Sequence, residues 1–293
     1  MLHIINVVHT EPNWWDGLYT GLDIGTTNFL DRLASLGLRI PITWCAFFGN
    51  GHLVPGTKQE ALDLLDARPE FLRSRFELGD EIGIHVHARH ILDTQQYIAP
   101  NADRLQAAGY PYPSTHAPFM GRLEPPVIRA LADANIDIDA GLVPRVGKVV
   151  YEQELDMDVF GRIVQDCSVR DPEALESYRP YHPSFTNIAE AGDCPFLEIP
   201  VIFSYHGIES HVPWYIDEIR RRWDALNVVK TDIIQFFWHP YEFLYPWSTE
   251  INHEVIEAFC RIFSEIAAWD AVIFSTTRDA ARAYLTQEET KRS

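Results

Sequence analysis

The 293-residue chain lacks a surplus of basic charge. Its 24 Lys and Arg residues stand against 42 Asp and Glu residues, which leaves a formal net charge of −18. A protein that binds nucleic acid regardless of sequence needs a basic face to displace counterions from the phosphates. Docking on an anionic lipid surface needs basic residues as well. The composition therefore argues against a nucleic-acid partner and against attachment to a membrane surface.

Long apolar runs and an export signal are also lacking. No stretch approaches the ~18 consecutive apolar residues of a membrane-spanning helix. The first eight residues have no basic segment followed by a small-residue cleavage site. We therefore expect no membrane span and a cytoplasmic location.

Cysteine is scarce and scattered, at positions Cys45, Cys167, Cys194 and Cys260. None of these residues belongs to a Cys-x-x-Cys pair, the spacing typical of zinc and redox sites. We interpret them as reduced, buried thiols of a cytoplasmic protein, although an even number also permits two disulfides. Histidine is more prominent, with 12 residues.

Short apolar runs alternate with helical patterns along the chain. The runs that predict strands lie at residues 3–8, 40–48, 81–86, 136–139, 196–203, 233–238 and 271–275. Helical spacing of apolar residues occurs at 27–36, 60–76, 125–134, 214–226 and 254–269, with Pro69 dividing the second of these. Continuous apolar strands that alternate with helices are typical of a parallel sheet covered on both faces. The pattern predicts an α/β fold, either a barrel or a doubly wound sheet.

No internal repeat or linker-like tract divides the chain, so we expect a single domain over residues 1–293. The least regular segment, at about 143–190, is rich in Pro, Tyr and charged residues. We interpret it as an excursion from the fold.

Polar side chains cluster where the predicted strands end. In parallel α/β folds, chemistry takes place at the carboxyl ends of the strands, where the loops converge. Seven candidates lie at or near such positions: His9, Glu11, His85, His87, His90, His116 and His239. Of these, His116 is expected in a loop before the helix that begins near Pro125.

The residue types in this set suit a metal ion. Zinc favours imidazole with carboxylate, and a catalytic zinc site commonly takes three protein ligands and leaves one position open. On an extended strand, His85 and His87 point to the same face. If the chain turns after His87, His85 and His90 converge instead, and Glu11 would complete either set. The competing interpretation is a polar loop with surface histidines.

Two indoles stand a few residues after Glu11. Trp14 and Trp15 lie in a loop, where exposed rings would stack on sugar rings and buried rings would fill the loop. Among the remaining histidines, His3 is expected to pack inside the first strand. The others have no assigned role: His52, His182, His206, His211 and His253.

Six stretches, taken in chain order, carry motifs of one family. Residues 80–85 read Asp-Glu-Ile-Gly-Ile-His and match the entry of the motif Glu-Ile-Gly-x-His-Thr-x-x-His. The others lie at residues 29–44, 127–141, 197–201, 236–242 and 273–277. Together they resemble the polysaccharide deacetylase superfamily, the NodB-homology domain of carbohydrate esterase family four, over nearly the whole chain. The resemblance implies a distorted (β/α)7-type barrel.

The first two family motifs are altered in this chain. Where the family carries two aspartates, as base and as metal ligand, this sequence reads His9-Thr-Glu11. The resemblance thus implies Glu11 as a ligand and His9 as the base. The family's second metal histidine would stand four residues after His85, at Arg89, so that His87 or His90 becomes the candidate.

The third motif, Arg-x-Pro-aromatic in the family, reads His116-Ala-Pro-Phe119 here, and His116 replaces the arginine that would orient the base. The histidine of the last motif, His239, would protonate the leaving amine. The implied function is a metal-dependent hydrolase of carbon–nitrogen bonds, a deacetylase of an N-acylated sugar or sugar-containing precursor that uses zinc. Two alternatives are a hydrolase of another cyclic or linear amide, with or without a metal, and a catalytically degenerate barrel that binds carbohydrate.

Overall fold

All nine strands in the described part of the chain form one parallel sheet. The computed structural model describes residues 1–54, 57–89, 91–118, 125–141, 179–186, 190–204, 208–227 and 231–292. The strands are β1 (Leu2–Thr10), β2 (Thr43–Phe48), β3 (Glu81–Val86), β4 (Thr115–Pro118), β5 (Ile138–Asp139), β6 (Leu197–Glu198), β7 (Phe203–Ser204), β8 (Asp232–Trp238) and β9 (Val272–Ser275). Their order is β6-β5-β4-β3-β2-β1-β8-β7, with β9 paired to β1. The sheet curls into a half-barrel flanked by helices, which confirms the predicted α/β class and barrel-like fold.

Helices follow most of the strands. They are α1 (Thr27–Ser35), α2 (Leu64–Ala67), α3 (Pro69–Glu77), α4 (Ile98–Ala107), α5 (Pro125–Asp133), α6 (Ile208–Asp224), α7 (His253–Ile266) and α8 (Thr277–Arg292). A π-helical turn, Gly21–Thr26, leads into α1, and 3-10 turns occupy Ile91–Tyr97, Ala225–Asn227 and Pro240–Phe243. Pro69 begins α3 and separates it from α2, as predicted. None of the helices in the described ranges has the length and apolar character that a membrane crossing requires.

Strand β1 lies at the centre of the sheet. Residues 2–8 pair with β8 along one side. Along the other side, residues 2–5 pair with β9 and residues 7–10 pair with β2. All nine residues of β1 are buried, because neighbours cover both edges and both faces. The carboxyl end of β1 therefore delivers its side chains to the middle of the barrel.

A helix covers the opposite, amino-terminal end of the strands. The Thr277 hydroxyl donates to Thr43 Oγ1 at 2.8 Å, and the Arg278 backbone N–H donates to Glu81 Oε2 at 2.8 Å. Further along α8, Ala280 and Ala281 belong to the same apolar cluster as residues 5 and 7 of β1. Helix α8 thus closes the amino-terminal end of the strands. The candidate residues that follow β1, β3 and β8 lie at the other end.

Two local predictions were wrong. His116 was expected in a loop, but it lies within β4, a strand of four residues that ends at Pro118. Residues 196–203 were expected to form one strand, but they contribute to two short strands, β6 and β7. Pro200 lies between these strands, and a proline has no N–H to offer a sheet.

Other predictions fall partly outside the described residues. Of the irregular segment at about 143–190, the structure describes only 179–186 and 190. Cys45, Cys194 and Cys260 are free and buried, in agreement with their interpretation as thiols. Cys167 lies outside the described residues.

Candidate active site

The carboxyl ends of β1, β3 and β8 bring a carboxylate and several predicted histidines together. Glu11 Oε1 lies 2.8 Å from His85 Nε2 and 3.2 Å from His87 Nε2. The same oxygen lies 3.6 Å from His239 Nε2. The ring of His9 lies over that of His85, with their centroids 4.0 Å apart. A half-buried carboxylate is thus surrounded by imidazoles.

The orientation of His85 follows from its backbone partner. His85 Nδ1 lies 2.8 Å from the carbonyl oxygen of Ala117, on the neighbouring strand β4. A carbonyl oxygen only accepts hydrogen bonds, so Nδ1 carries a proton. In the neutral ring, Nε2 therefore presents a lone pair to the carboxylate of Glu11. Two such electron-rich atoms attract each other only when a proton or a cation lies between them.

His87 joins this arrangement because of strand geometry. It stands two residues after His85, and alternate residues of an extended chain share a face. The two Nε2 atoms are 2.8 Å apart, and both rings are buried. Burial lowers the pKa of His87 to about 3, although the nearby Glu11 carboxylate opposes this effect. A neutral His87 is therefore a ligand that needs no deprotonation.

These donor atoms fit a divalent metal ion. Four donors placed tetrahedrally at zinc-like bond lengths of ~2.0–2.1 Å are about 3.3 Å from one another. The separations among Glu11 Oε1, His85 Nε2 and His87 Nε2 are 2.8, 2.8 and 3.2 Å. A metal-binding histidine also usually donates its other ring N–H to a carbonyl or carboxylate, as His85 does to Ala117. His9, Glu11 and His85 form a second possible set, since their ligand atoms lie within 4.8 Å of one another.

His9 is a buried, neutral imidazole beside this set. Burial lowers its pKa well below the ordinary value, and the neighbouring His85 and His239 lower it further. Its ring contacts that of Phe237 edge to face at 4.4 Å. Among the described residues, His9 Nε2 has no hydrogen-bond partner. Such a nitrogen is free to accept a proton or to bind a metal.

Glu11 is ionised in this environment. Burial alone would raise its pKa, but the surrounding imidazoles, among them the charged His239, lower it well below the ordinary value. A carboxylate with so low a pKa carries a negative charge at neutral pH, at the centre of the site.

His239 differs from the other imidazoles because a second carboxylate holds it. Its Nδ1 lies 2.5 Å from Glu242 Oε1, and its backbone N–H donates to Glu242 Oε2 at 2.9 Å. Burial opposes the charged form of His239, but Glu242 and Glu11 outweigh burial and raise its pKa to about 10. Burial also raises the pKa of Glu242 to about 7. Between these values the pair holds one proton, which we place on His239 because this ring faces both carboxylates.

Sequence reasoning did not assign roles to two residues at the site. Glu242 stands three residues after His239 and forms a capping box with it, so the i, i+3 spacing was a usable signal. His52, from the loop after β2, places its half-buried ring edge-on to His87, at a centroid separation of 4.8 Å. No local pattern in the sequence marks His52.

The structure does not bring His116 to this cluster. Its register partner on β3 is Ile84, whereas His85 pairs with Ala117. Successive side chains of a strand alternate between faces, so His116 points to the face opposite to His85. There it is buried, with Nδ1 2.6 Å from Asp139 Oδ1. His116 therefore does not join the other candidates at the carboxyl ends of the strands.

The remaining predicted residues are distributed as follows. His90 lies outside the described residues. Trp14 is exposed and Trp15 is half-buried, and their ring centroids are 5.9 Å apart. His3 is buried in β1 with Nδ1 2.8 Å from Ser275 Oγ, which agrees with its interpretation as a packed residue.

No protein-family model and no curated protein sequence matches the chain. Several solved structures share its fold. A protein from Mycobacterium smegmatis assigned as a polysaccharide deacetylase has a TM-score of 0.58 at 15% identity, covering 98% of this chain and 91% of its own. Puue allantoinase has a TM-score of 0.58 at 14% identity, covering 96% and 89%. A 4-alpha-glucanotransferase from Thermococcus litoralis has a TM-score of 0.58 at 13% identity, covering 96% of this chain and 40% of its own. The sequence resemblance to polysaccharide deacetylases is thus confirmed at the level of the fold.

Proposed function

We propose that the protein is a metal-dependent hydrolase that cleaves the amide C–N bond of an N-acylated sugar or sugar-containing precursor. The observation that carries this proposal is the spacing of three donor atoms, from Glu11, His85 and His87, at 2.8–3.2 Å from one another. The shared fold with a protein assigned as a polysaccharide deacetylase supports the choice of substrate class.

The metal would be held by Glu11, His85 and His87, and zinc best matches two imidazoles with one carboxylate. When bound, such an ion polarises an amide carbonyl and lowers the pKa of a water molecule toward ~7. His85 is kept in position by the Ala117 carbonyl, so its Nε2 needs no rearrangement before binding.

His9 would take the proton from the attacking water. Its imidazole is neutral because of burial, and its Nε2 is unpaired among the described residues. A general base must be unprotonated before it acts, and His9 meets this requirement at neutral pH.

His239 would supply the proton that the leaving amine needs. It is charged at neutral pH because Glu242 and Glu11 hold its proton, and its Nε2 points toward Glu11. In the reaction, the water oxygen bonds to the acyl carbon, the C–N bond breaks, and His239 protonates the nitrogen. The products are a carboxylic acid and an amine, and the proton gained by His9 replaces the one lost by His239.

The test is acetate release from N-acetyl sugars, free and nucleotide-linked, measured together with metal content. We expect acetate release that stops on chelation and returns with zinc. No release from any of these sugars, at full metal occupancy, would contradict the proposal and favour a barrel that only binds carbohydrate.

A second candidate function uses the same catalytic histidines, His9 and His239, on a different substrate. The fold matches Puue allantoinase with the same TM-score of 0.58 as the deacetylase-like protein, which favours a non-sugar amide as the alternative. In that case His9 and His239 would transfer protons without a metal. Turnover of a cyclic amide by the chelated protein, with no acetate release from sugars, would favour this alternative.

A further inference from the structure

Asn50 lies in a tight turn directly after β2. Asn50 and Gly51 have φ values of +45° and +80°, and the His52 N–H donates to the Gly49 carbonyl oxygen at 2.8 Å. Two successive residues of positive φ enclosed by such a hydrogen bond are typical of a type I′ turn, which favours Asn followed by Gly. Glycine alone would satisfy the backbone at position 50. The turn therefore does not explain what the carboxamide of Asn50 does.

The carboxamide of Asn50 holds the main chain of His87. Asn50 Nδ2 donates to the His87 carbonyl oxygen at 2.8 Å and to the Phe48 carbonyl oxygen at 3.1 Å. The Phe48 carbonyl oxygen also accepts the His87 N–H at 2.8 Å. Both backbone groups of His87 are thus bonded to the end of β2 and the turn that follows it.

His87 depends on these bonds because it lies beyond the sheet. Strand β3 ends at Val86, whose register partner on β4 is Pro118. A proline has no N–H, so β4 offers no backbone donor at its end. The strand pairing that holds His85 on this side stops before His87. The main chain of His87 is held from the other side, by Phe48 and Asn50.

Helix α4 fixes the carboxamide of Asn50 in one orientation. Asn50 Oδ1 accepts a hydrogen bond from Nδ2 of Asn101, a buried residue of α4, at 3.1 Å. Arg104 Nη1 donates to Asn101 Oδ1 at 3.3 Å and to Asp63 Oδ2 at 2.6 Å. Asp63 Oδ1 accepts the Gly49 N–H at 2.7 Å, so the chain of hydrogen bonds returns to the turn. A closed network of polar groups therefore supports Asn50.

We propose that Asn50 is a positioning residue, which sets the place of the His87 imidazole at the metal site. This inference rests on the proposed function, because it concerns a member of the proposed ligand set. His87 Nε2 lies 2.8 Å from His85 Nε2 and 3.2 Å from Glu11 Oε1. A shift of the His87 main chain would move its Nε2 away from both atoms. Loss of a group that orients a metal ligand typically costs about 10–100-fold in metal affinity.

The test compares Asn50→Gly with a matched control, Asn135→Gly. The φ of Asn135 is +54°, so glycine suits the backbone at both positions and each substitution removes only a carboxamide. Asn135 is exposed after α5, and its side chain makes no hydrogen bond within the described part of the chain. We expect zinc affinity, measured by competition with a chromogenic chelator, to fall at least about tenfold in Asn50→Gly and to stay at the parent value in Asn135→Gly.

Cobalt(II) in place of zinc gives a readout that a merely less stable fold would not change. At saturating cobalt, the visible absorption bands should differ from those of the parent in Asn50→Gly only, because they report the arrangement of the ligands. Asn101→Ala removes the partner of Asn50 Oδ1 without touching the turn, and it should lower zinc affinity by a smaller factor. Parent-like zinc affinity and cobalt spectrum in Asn50→Gly, or an equal loss of affinity in Asn135→Gly, would overturn the positioning role.

Hydrogen exchange of the metal-free proteins separates this inference from the proposed function. The His87 N–H should exchange faster in Asn50→Gly than in the parent and in Asn135→Gly, because the main chain is no longer held. Faster exchange in Asn50→Gly, with a parent that binds no zinc, would support the hold on His87 and overturn the metal-dependent hydrolase. A parent that binds zinc and releases acetate, with Asn50→Gly equal to it in affinity, spectrum and exchange, would do the reverse.

Discussion

His85 and His116 lie on neighbouring strands, both fully buried, and each has its Nδ1 held by a partner. The partner of His85 is a backbone carbonyl, and the partner of His116 is the carboxylate of Asp139. His85 directs its free Nε2 at Glu11, whereas His116 Nε2 and Asp139 Oδ2 have no partner among the described residues. His116 stands one residue before Ala117, the register partner of His85. This offset of one residue puts the His116 ring on the other face of the sheet, in a buried pair with Asp139 and outside the cluster. Burial and a held ring therefore do not by themselves indicate a functional site, whereas convergence with other donor atoms does.

The largest effect is expected when His85 is removed. In His85→Ala, metal affinity should fall by more than the ~10–100-fold that loss of a hydrogen-bond partner of a ligand usually costs. Metal analysis after dialysis, together with acetate release, measures the change. Full metal occupancy in this variant would show that the ligand set is wrong.

His116→Ala should have the opposite profile. Metal content should match the parent, because the ring points to the other face of the sheet. Stability should fall by about 3–5 kcal/mol, since Asp139 is left buried without its partner. Urea unfolding measures the loss, and the double variant His116→Ala/Asp139→Ala should recover part of it. Loss of metal in the folded His116→Ala protein would bring this residue back to the site.

His239, like His116, has its Nδ1 held by a carboxylate, but it lies within the site. Because its pKa is raised to about 10, the stability that His239 contributes is fully present below its ordinary pKa and is lost as the pH rises through about 10. Glu242→Gln removes the nearer negative charge and should lower this pKa. NMR titration of the His239 ring in metal-free protein measures the change. An unchanged titration would show that Glu242 does not hold the proton.

The smallest effect is expected on the surface. Arg32 makes a bidentate contact with Glu257, with its Nε 2.6 Å from Oε1, but both side chains are largely exposed. Solvent screens such pairs, and many contribute nothing measurable. Glu257→Gln should therefore leave urea unfolding unchanged. A loss comparable to that of His116→Ala would contradict the distinction between buried and exposed pairs.

Much of the site could be predicted from the sequence because local backbone geometry decides it. Apolar runs marked β1, β3 and β8, and the polar residues after them belong to the carboxyl ends of parallel strands. The spacing of His85 and His87 placed both rings on one face. The four-residue strand that contains His116 was missed because a run this short, with a proline at its end, has no clear period.

Other features of the structure could not be predicted, because they depend on contacts between segments that are distant in sequence. His52 reaches His87 only because the loop after β2 folds over the end of β3. Trp247 meets Trp14 across more than two hundred residues of sequence. Neither contact has a periodic signal, since loops are positioned by the packing of the elements that they connect.

The class of fold and the residue types at the strand ends follow from the amino-acid sequence, because alternation and apolar patterning act over a few neighbouring residues. Which of those residues meet depends on how distant segments pack. The curl of the sheet sets the distance between Glu11 and the histidines of β3, and strand register turns His116 away from them. The spacing between strand ends is a property of the whole barrel, so the donor set became visible only when the barrel was assembled.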